Sequence, residues 1–146
     1  MYDDLFKKIL IVEDDLSYRG PLNDFLSASS YTVFNADDGE QAMEKLLLHR
    51  PDVVILDLLL PKVHGFEVLK RIRSYPDQTV ATTPVVILSN LNSAKDMETA
   101  KSMGVNNYFV KSQTNFETVA KTVGEILFKD GRRPAQDEIL DFRNMG

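Results

Sequence analysis

Four consecutive large apolar residues, Val53-Val54-Ile55-Leu56, run directly into the carboxylate of Asp57, and Leu58, Leu59, Leu60 and Pro61 follow. An unbroken Val/Ile/Leu run of this kind reads as a strand buried on both faces, as parallel sheets covered by helices require. A charged side chain is rarely buried without a partner. Asp57 is therefore expected where the strand emerges, at its carboxyl end, with a cation nearby. Four more short runs repeat the theme: Lys8 to Val12, Tyr31-Thr32-Val33-Phe34, Val85 to Leu88, and Tyr108-Phe109-Val110.

Helical patterns fill the intervals. Leu16, Leu22, Phe25 and Leu26 share one side of a first helix, and Gly20-Pro21 inside it predicts a kinked or late-starting element. Asp38 is a plausible N-cap for a helix with Ala42, Met43, Leu46 and Leu47, stopped before Pro51. Phe66, Leu69 and Ile72 recur every three residues, with Lys70, Arg71 and Arg73 expected to face water. Ser74 to Pro84 reads as a loop. A polar helix is expected from Ser93 to Met103, closed by Gly104, and Phe116, Val119, Val123, Ile126 and Leu127 mark the last one. Five strands alternating with helices imply a parallel sheet covered on both faces, joined by right-handed crossovers. The common strand order for such a chain is 2-1-3-4-5, with ligands beyond the carboxyl ends near the switch between strands 1 and 3.

A length of 146 residues suits one domain with one real core. Residues 1–129 are assigned to it. Arg132-Arg133-Pro134 breaks the pattern, leaving 130–146 as a tail or short extra helix. With 17 basic against 22 acidic residues, the net charge of −5 gives no support to a nucleic-acid or anionic-membrane surface. No run is long enough to cross a bilayer, and MYDDLFKK lacks the basic-then-apolar order of a secretory signal. The absence of cysteine excludes disulfides and thiolate metal sites and permits the cytoplasmic setting expected here.

In that strand order, strands 1, 3, 4 and 5 each deliver polar cargo to one edge: Glu13 and Asp14, then Asp57, Ser89 and Lys111. Packed carboxylates repel, and without relief one would have its pKa raised. A divalent cation resolves the conflict, and oxygen-only ligands with open water positions suit Mg²⁺ or Mn²⁺ rather than zinc. A metal beside a carboxylate, a hydroxyl and an ammonium is the apparatus of phosphoryl transfer, with Asp57 the candidate nucleophile.

The ordered motifs IVEDD, VVILDLLLP, GFEVLKRIR, VVILSN and YFVKS, spanning roughly Lys8 to Leu127, resemble the receiver domain of two-component response regulators. The resemblance implies a flavodoxin-like, doubly wound α/β fold and a phosphorylation-dependent signalling switch, not an enzyme acting on other molecules. By the same resemblance, Glu13 and Asp14 would be metal ligands and Asp57 the phosphoacceptor and third carboxylate ligand. The backbone carbonyl of Leu59 would join them. Ser89 would be the switch hydroxyl, Lys111 the phosphate-contacting cation, and Tyr108 the aromatic whose rotamer reports phosphorylation. The implied donor is a histidine kinase, a phosphotransfer protein or a small molecule such as acetyl phosphate. The responding surface would be the helix after strand 4, strand 5 and the last helix, around Ser93 to Phe128, through which a homodimer could form. Neither direct nucleic-acid nor membrane binding is expected. No DNA-binding segment follows, so output is expected through a partner, self-association or a domain outside this sequence.

Several positions depart from the family pattern. Many members place proline after the lysine, joined by a cis peptide; Ser112 stands there, and a cis bond is expected to persist as strain. Asn90 replaces a commonly small residue and is expected to crowd the phosphate site. Three rivals are weaker. An aspartyl phosphohydrolase would want a second acid where Leu59 stands. A flavin carrier would not put Glu13-Asp14-Asp15 in its phosphate loop. A receiver-like module that never takes phosphate would not need the whole rim. Leu59 and Leu91 sit two positions after Asp57 and Ser89, where an apolar pair cannot orient attacking water. Self-dephosphorylation should therefore be slow: with metal present and no phosphatase, radiolabel chase should give a half-life well beyond seconds, and a half-life of seconds would contradict this.

Overall fold

The computed structural model describes residues 6–128, so the tail assigned to 130–146 lies outside the described residues. Five strands, β1 (Lys8–Val12), β2 (Thr32–Ala36), β3 (Val53–Leu56), β4 (Val85–Ser89) and β5 (Asn107–Val110), form one parallel sheet in the order β2-β1-β3-β4-β5. Among the described residues six α-helices accompany them, the last following β5: α1 (Leu16–Ala28), α2 (Gly39–His49), α3 (Gly65–Arg73), α4 (Gln78–Ala81), α5 (Ala94–Ser102) and α6 (Phe116–Leu127).

Side chains alternate along each strand, and this splits the core in two. Leu10, Val12, Val54, Leu56, Val85 and Ile87 pack on one face against Ala42, Leu46, Val68, Leu69, Ile72 and Ala100 of α2, α3 and α5. Ile9, Ile11, Val53, Ile55, Val86 and Leu88 meet Leu22, Leu26, Val119 and Val123 of α1 and α6 on the other. A strand buried on both faces has no polar position to spare, which is why the central runs are wholly apolar.

Several local expectations change. α1 starts at Leu16 without delay, because Asp15 caps it by accepting from the Ser17 N–H at 3.0 Å, and Pro21 lies within the continuous helix. Leu16 is 65% exposed, so it does not belong to the buried stripe; Tyr18, four residues before Leu22, takes that place. β2 begins at Thr32 instead of Tyr31, since the Tyr31 N–H turns back to the Leu26 carbonyl while the ladder starts with Thr32 donating to Lys7. The presumed loop from Ser74 to Pro84 contains α4, capped by Asp77 and closed by Thr82 and Thr83 hydroxyls donating to the Gln78 and Thr79 carbonyls.

Arg73 does not face water as expected. Its guanidinium donates to the carbonyls of Ala81, Thr83, Met103 and Gly104 at 2.8–3.0 Å, tying the C-terminus of α3 to the chain entering β4 and β5. A planar five-donor fork suits that task, and a point-charge lysine does not. Gly104 closes α5 at φ +76°, a left-handed conformation that glycine adopts freely.

Gly65 opens α3 against the backbone that carries Asp57. Its N–H donates to the Leu58 carbonyl at 3.0 Å, and an added Cβ would stand 2.4 Å from the Leu58 Cα and 2.5 Å from the Asp57 carbonyl oxygen. Gly65→Ala should therefore lower stability by about 1–3 kcal/mol, the range for overpacking a rigid site. Urea denaturation measures this, and an unchanged midpoint would show that the loop yields freely.

Candidate functional site

Parallel register brings the strand ends together. Val12 pairs with Leu56, Leu56 with Ile87, and Ser89 with Val110, so the residues that follow emerge side by side. Glu13 and Asp57 are 3% and 4% exposed and Ser89 is fully buried, whereas Asp14 faces solvent. The structure thus brings Glu13, Asp14, Asp57 and Lys111 together at one edge, with Ser89 at the end of the neighbouring β4 and Tyr108 within β5. One oxygen from each of Glu13, Asp14 and Asp57 lies within 4.8 Å of the others. Asp15, the third acid of the run, is spent on capping α1.

Each member is fixed by the backbone around it. The Asp57 N–H donates to the Val12 carbonyl at 3.0 Å, and its Oδ1 accepts from the Leu59 N–H at 3.1 Å. Glu13 Oε2 accepts from the Asp15 N–H at 3.0 Å, while Arg19 donates to the Glu13 carbonyl and pairs with Asp37. Lys111 reaches in from a 3₁₀ turn, Lys111–Gln113, at the end of β5. Its Nζ pairs with Asp57 Oδ2 at 2.8 Å and with Glu13 Oε1. No cis peptide occurs among the described residues, so the expected cis bond before Ser112 is not formed. The turn is held otherwise: the Ser112 N–H donates to Asn90 Oδ1 at 3.1 Å. Asn90 is thereby engaged with the strand-5 turn.

The electrostatics follow from burial. Desolvation raises the Glu13 pKa above its ordinary 4.5, with the Asp57 charge adding to it and Lys111 opposing. Burial also works against the Lys111 ammonium, but its hydrogen bonds and charge pairing with Asp57 and Glu13 outweigh that and raise its pKa. Three carboxylates and one ammonium leave a formal charge of about −2 when all are ionised, the amount a dication cancels. The all-oxygen donor set and the exposed Asp14 side, open to water ligands, fit a hard ion such as Mg²⁺.

The second tier is a relay through one backbone residue. Ser89 Oγ accepts weakly from the Leu91 N–H at 3.4 Å, and the Leu91 carbonyl accepts from the Tyr108 hydroxyl at 2.6 Å. Tyr18 and Arg19, both beside the site, escaped the sequence reading. Tyr18 was legible in principle, because it shares the helical spacing of Leu22, Phe25 and Leu26. Arg19 carried no periodic signal.

The doubly wound sheet thus carries an acidic, lysine-clamped carboxyl edge. The profile described as response regulator receiver domain matches residues 9–123, and the chain belongs to that family. It is 32% identical over 114 residues to the response regulator MprA of Mycobacterium ulcerans, covering 78% of this chain and 47% of MprA. It is 35% identical over 105 residues to the alkaline phosphatase synthesis transcriptional regulatory protein PhoP of Bacillus subtilis, covering 72% of this chain and 42% of PhoP. The chain thus spans less than half the length of these relatives. The chemotaxis protein CheY4 of Vibrio cholerae superposes with a TM-score of 0.76 at 32% identity, over 84% of this chain and 99% of that one. Receiver domains bind Mg²⁺ at an acidic pocket, and this chain carries such a pocket.

No helix among the described residues is long and apolar enough to cross a membrane.

The acidic cluster makes the cation response pH-dependent. Glu13 has a raised pKa, so its stabilising contribution is full below the ordinary glutamate value and lost as pH rises through the raised one. A dication held by these acids would relieve that loss and would bind only the ionised form. In thermal denaturation, Mg²⁺ at about a hundredfold excess over its dissociation constant should add about 2–3 kcal/mol near pH 7. The gain should shrink sharply near pH 4.5, and a shift equal at both values would contradict the assignment.

Proposed function

We propose that this receiver domain is a phosphorylation-driven switch in which Asp57 is the phosphoacceptor. The carrying observation is the buried Asp57 carboxylate, with Lys111 Nζ 2.8 Å from Oδ2 and two further carboxylates alongside. An Asp57 oxygen attacks phosphorus of a phosphohistidine or of acetyl phosphate. The bond from phosphorus to imidazole nitrogen or acetate oxygen breaks, and the donor leaves with that electron pair. The product is a mixed anhydride between Asp57 and phosphate.

Glu13, Asp14, Asp57 and the Leu59 carbonyl would hold Mg²⁺ or Mn²⁺, which would supply positive charge to the transferring phosphoryl oxygens. Lys111, on the 3₁₀ turn after β5, supplies a second positive group beside Asp57. Leu59 offers no acid where a phosphohydrolase would protonate its leaving group, and at 49% exposure it lies on the outer lip of the site. The activity is therefore self-modification, and the donor is a histidine kinase, a phosphotransfer protein or a small phosphodonor.

The charge added at Asp57 offers the Ser89 hydroxyl proton a strong acceptor, and the long 3.4 Å hydrogen bond that Ser89 Oγ accepts from the Leu91 N–H does little to hold the hydroxyl back. When the Ser89 hydroxyl turns to donate to the phosphoryl group, Leu91 loses its partner. The Leu91 carbonyl then releases Tyr108, whose ring moves toward the vacated space. The surface of α5, β5 and α6 is the output face that this rearrangement alters. Through that face the domain would meet its output partner or a second copy.

Incubation with Mg²⁺ and acetyl phosphate followed by intact mass should add one phosphoryl group of about 80 Da to the wild type and none to Asp57→Asn. Equal mass gain in both proteins, or none in either, would contradict the assignment of Asp57.

A further inference from the structure

Tyr18 lies on the first turns of α1, beside the ammonium that the acids share. The Lys111 Nζ stands 4.7 Å from the centroid of its ring, inside the range of a cation–π contact. The ring itself is braced. It meets Phe116 edge-on, with centroids 5.6 Å apart and an interplanar angle of 84°, and Phe116 packs in turn against Phe25 at 6.0 Å. Both helices are anchored by Leu22, Leu26, Val119 and Val123 in the core beneath. The Tyr18 hydroxyl is buried and has no hydrogen-bond partner among the described residues. What the tyrosine contributes at this place is its face, not its hydroxyl.

We propose that Tyr18 is a positioning residue for phosphoryl transfer: its ring face holds the Lys111 ammonium against Asp57. The inference rests on the reading of Asp57 as phosphoacceptor. Lysine carries its charge on a flexible four-carbon stem, and two carboxylates compete for it here. A third carboxylate behind the ammonium would hold it in place but would also draw its donors away from the reacting edge. An aromatic face attracts the cation without taking an N–H donor or adding a formal negative charge. It leaves all three donors for Asp57, for Glu13 and for the incoming phosphoryl oxygens. When a cation occupies the acids and weakens the Glu13–Lys111 pair, the ring still supports Lys111.

The test has two readouts on the full chain. In the first, NMR of protein carrying isotope-labelled lysine reads the Lys111 ε-methylene protons, which an aromatic face shifts upfield. The shift should be present in the wild type and in Tyr18→Phe, and absent in Tyr18→Leu. Wild-type protons at an ordinary lysine position would overturn the proposal whatever happens to Asp57. The second is the initial rate of phosphorylation by acetyl phosphate. Tyr18→Leu should slow it roughly 5- to 30-fold, the span expected for losing a partly desolvated cation–π contact, and Tyr18→Phe should restore most of the rate. In a Lys111→Met background, Tyr18→Leu should change the rate by less than about twofold, because the group it acts through is gone. An undiminished rate in Tyr18→Leu, an equal loss in Tyr18→Phe, or a full loss in the Lys111→Met background would each overturn it. A wild type with the upfield shift but no phosphoryl uptake would instead fail the Asp57 reading and leave the ring contact standing. Thermal denaturation of Tyr18→Leu confirms that the compared species are folded.

Discussion

A nearly buried ammonium shared by two nearly buried carboxylates governs this molecule. Lys111, Asp57 and Glu13 are drawn from three different strand ends, and none could sit at the sheet edge alone without a large desolvation penalty. Together they satisfy one another, yet with Asp14 they leave a negative surplus. That surplus suits a cation and, with the cation, a phosphoryl group. The sheet exists to hold this imbalance steady. Its register sets Val12 beside Leu56 and Leu56 beside Ile87, with Ser89 and Val110 paired two residues further along, and each apolar run ends where the polar rim begins.

Rigidity and freedom are separated in space. The two layers of core lock the strands from both faces, and Arg73 pins the amino-terminal edge by four carbonyl contacts. At the carboxyl edge one link is weak, the 3.4 Å contact between Ser89 and Leu91. A small electrostatic change can be expressed there without disturbing the core, because hydrogen bonds of this kind exchange easily while close-packed layers do not. The two-bond path from Ser89 through Leu91 to Tyr108 links the charged edge to the face of β5.

Much of this was legible in the residues. The central strands announced themselves because burial on both faces demands unbroken Val, Ile and Leu, and the rim residues follow those runs directly. Edge strand β2 was harder to bound, since it pairs only with β1 and tolerates Asn35. The buried role of Arg73 was hidden because a charged residue one turn beyond an apolar stripe looks solvated until its carbonyl partners, 8 to 31 residues away, are brought near. The cis bond was an inference from relatives that carry proline. Here the turn is secured by Asn90, a contact between two loops that local sequence does not encode. Tyr18 was missed for a related reason: periodicity marked its face of α1, but only the fold sets Lys111 over its ring.

The central claim is that phosphate is carried at one position, and reductive trapping addresses it most directly. Borohydride reduces an aspartyl phosphate to homoserine with release of phosphate, so peptide mass mapping after treatment reads the site. The account predicts homoserine at position 57 alone, dependent on phosphodonor and Mg²⁺. Trapping at position 13 or 14, or phosphate found on a hydroxyl side chain with position 57 intact, would contradict it.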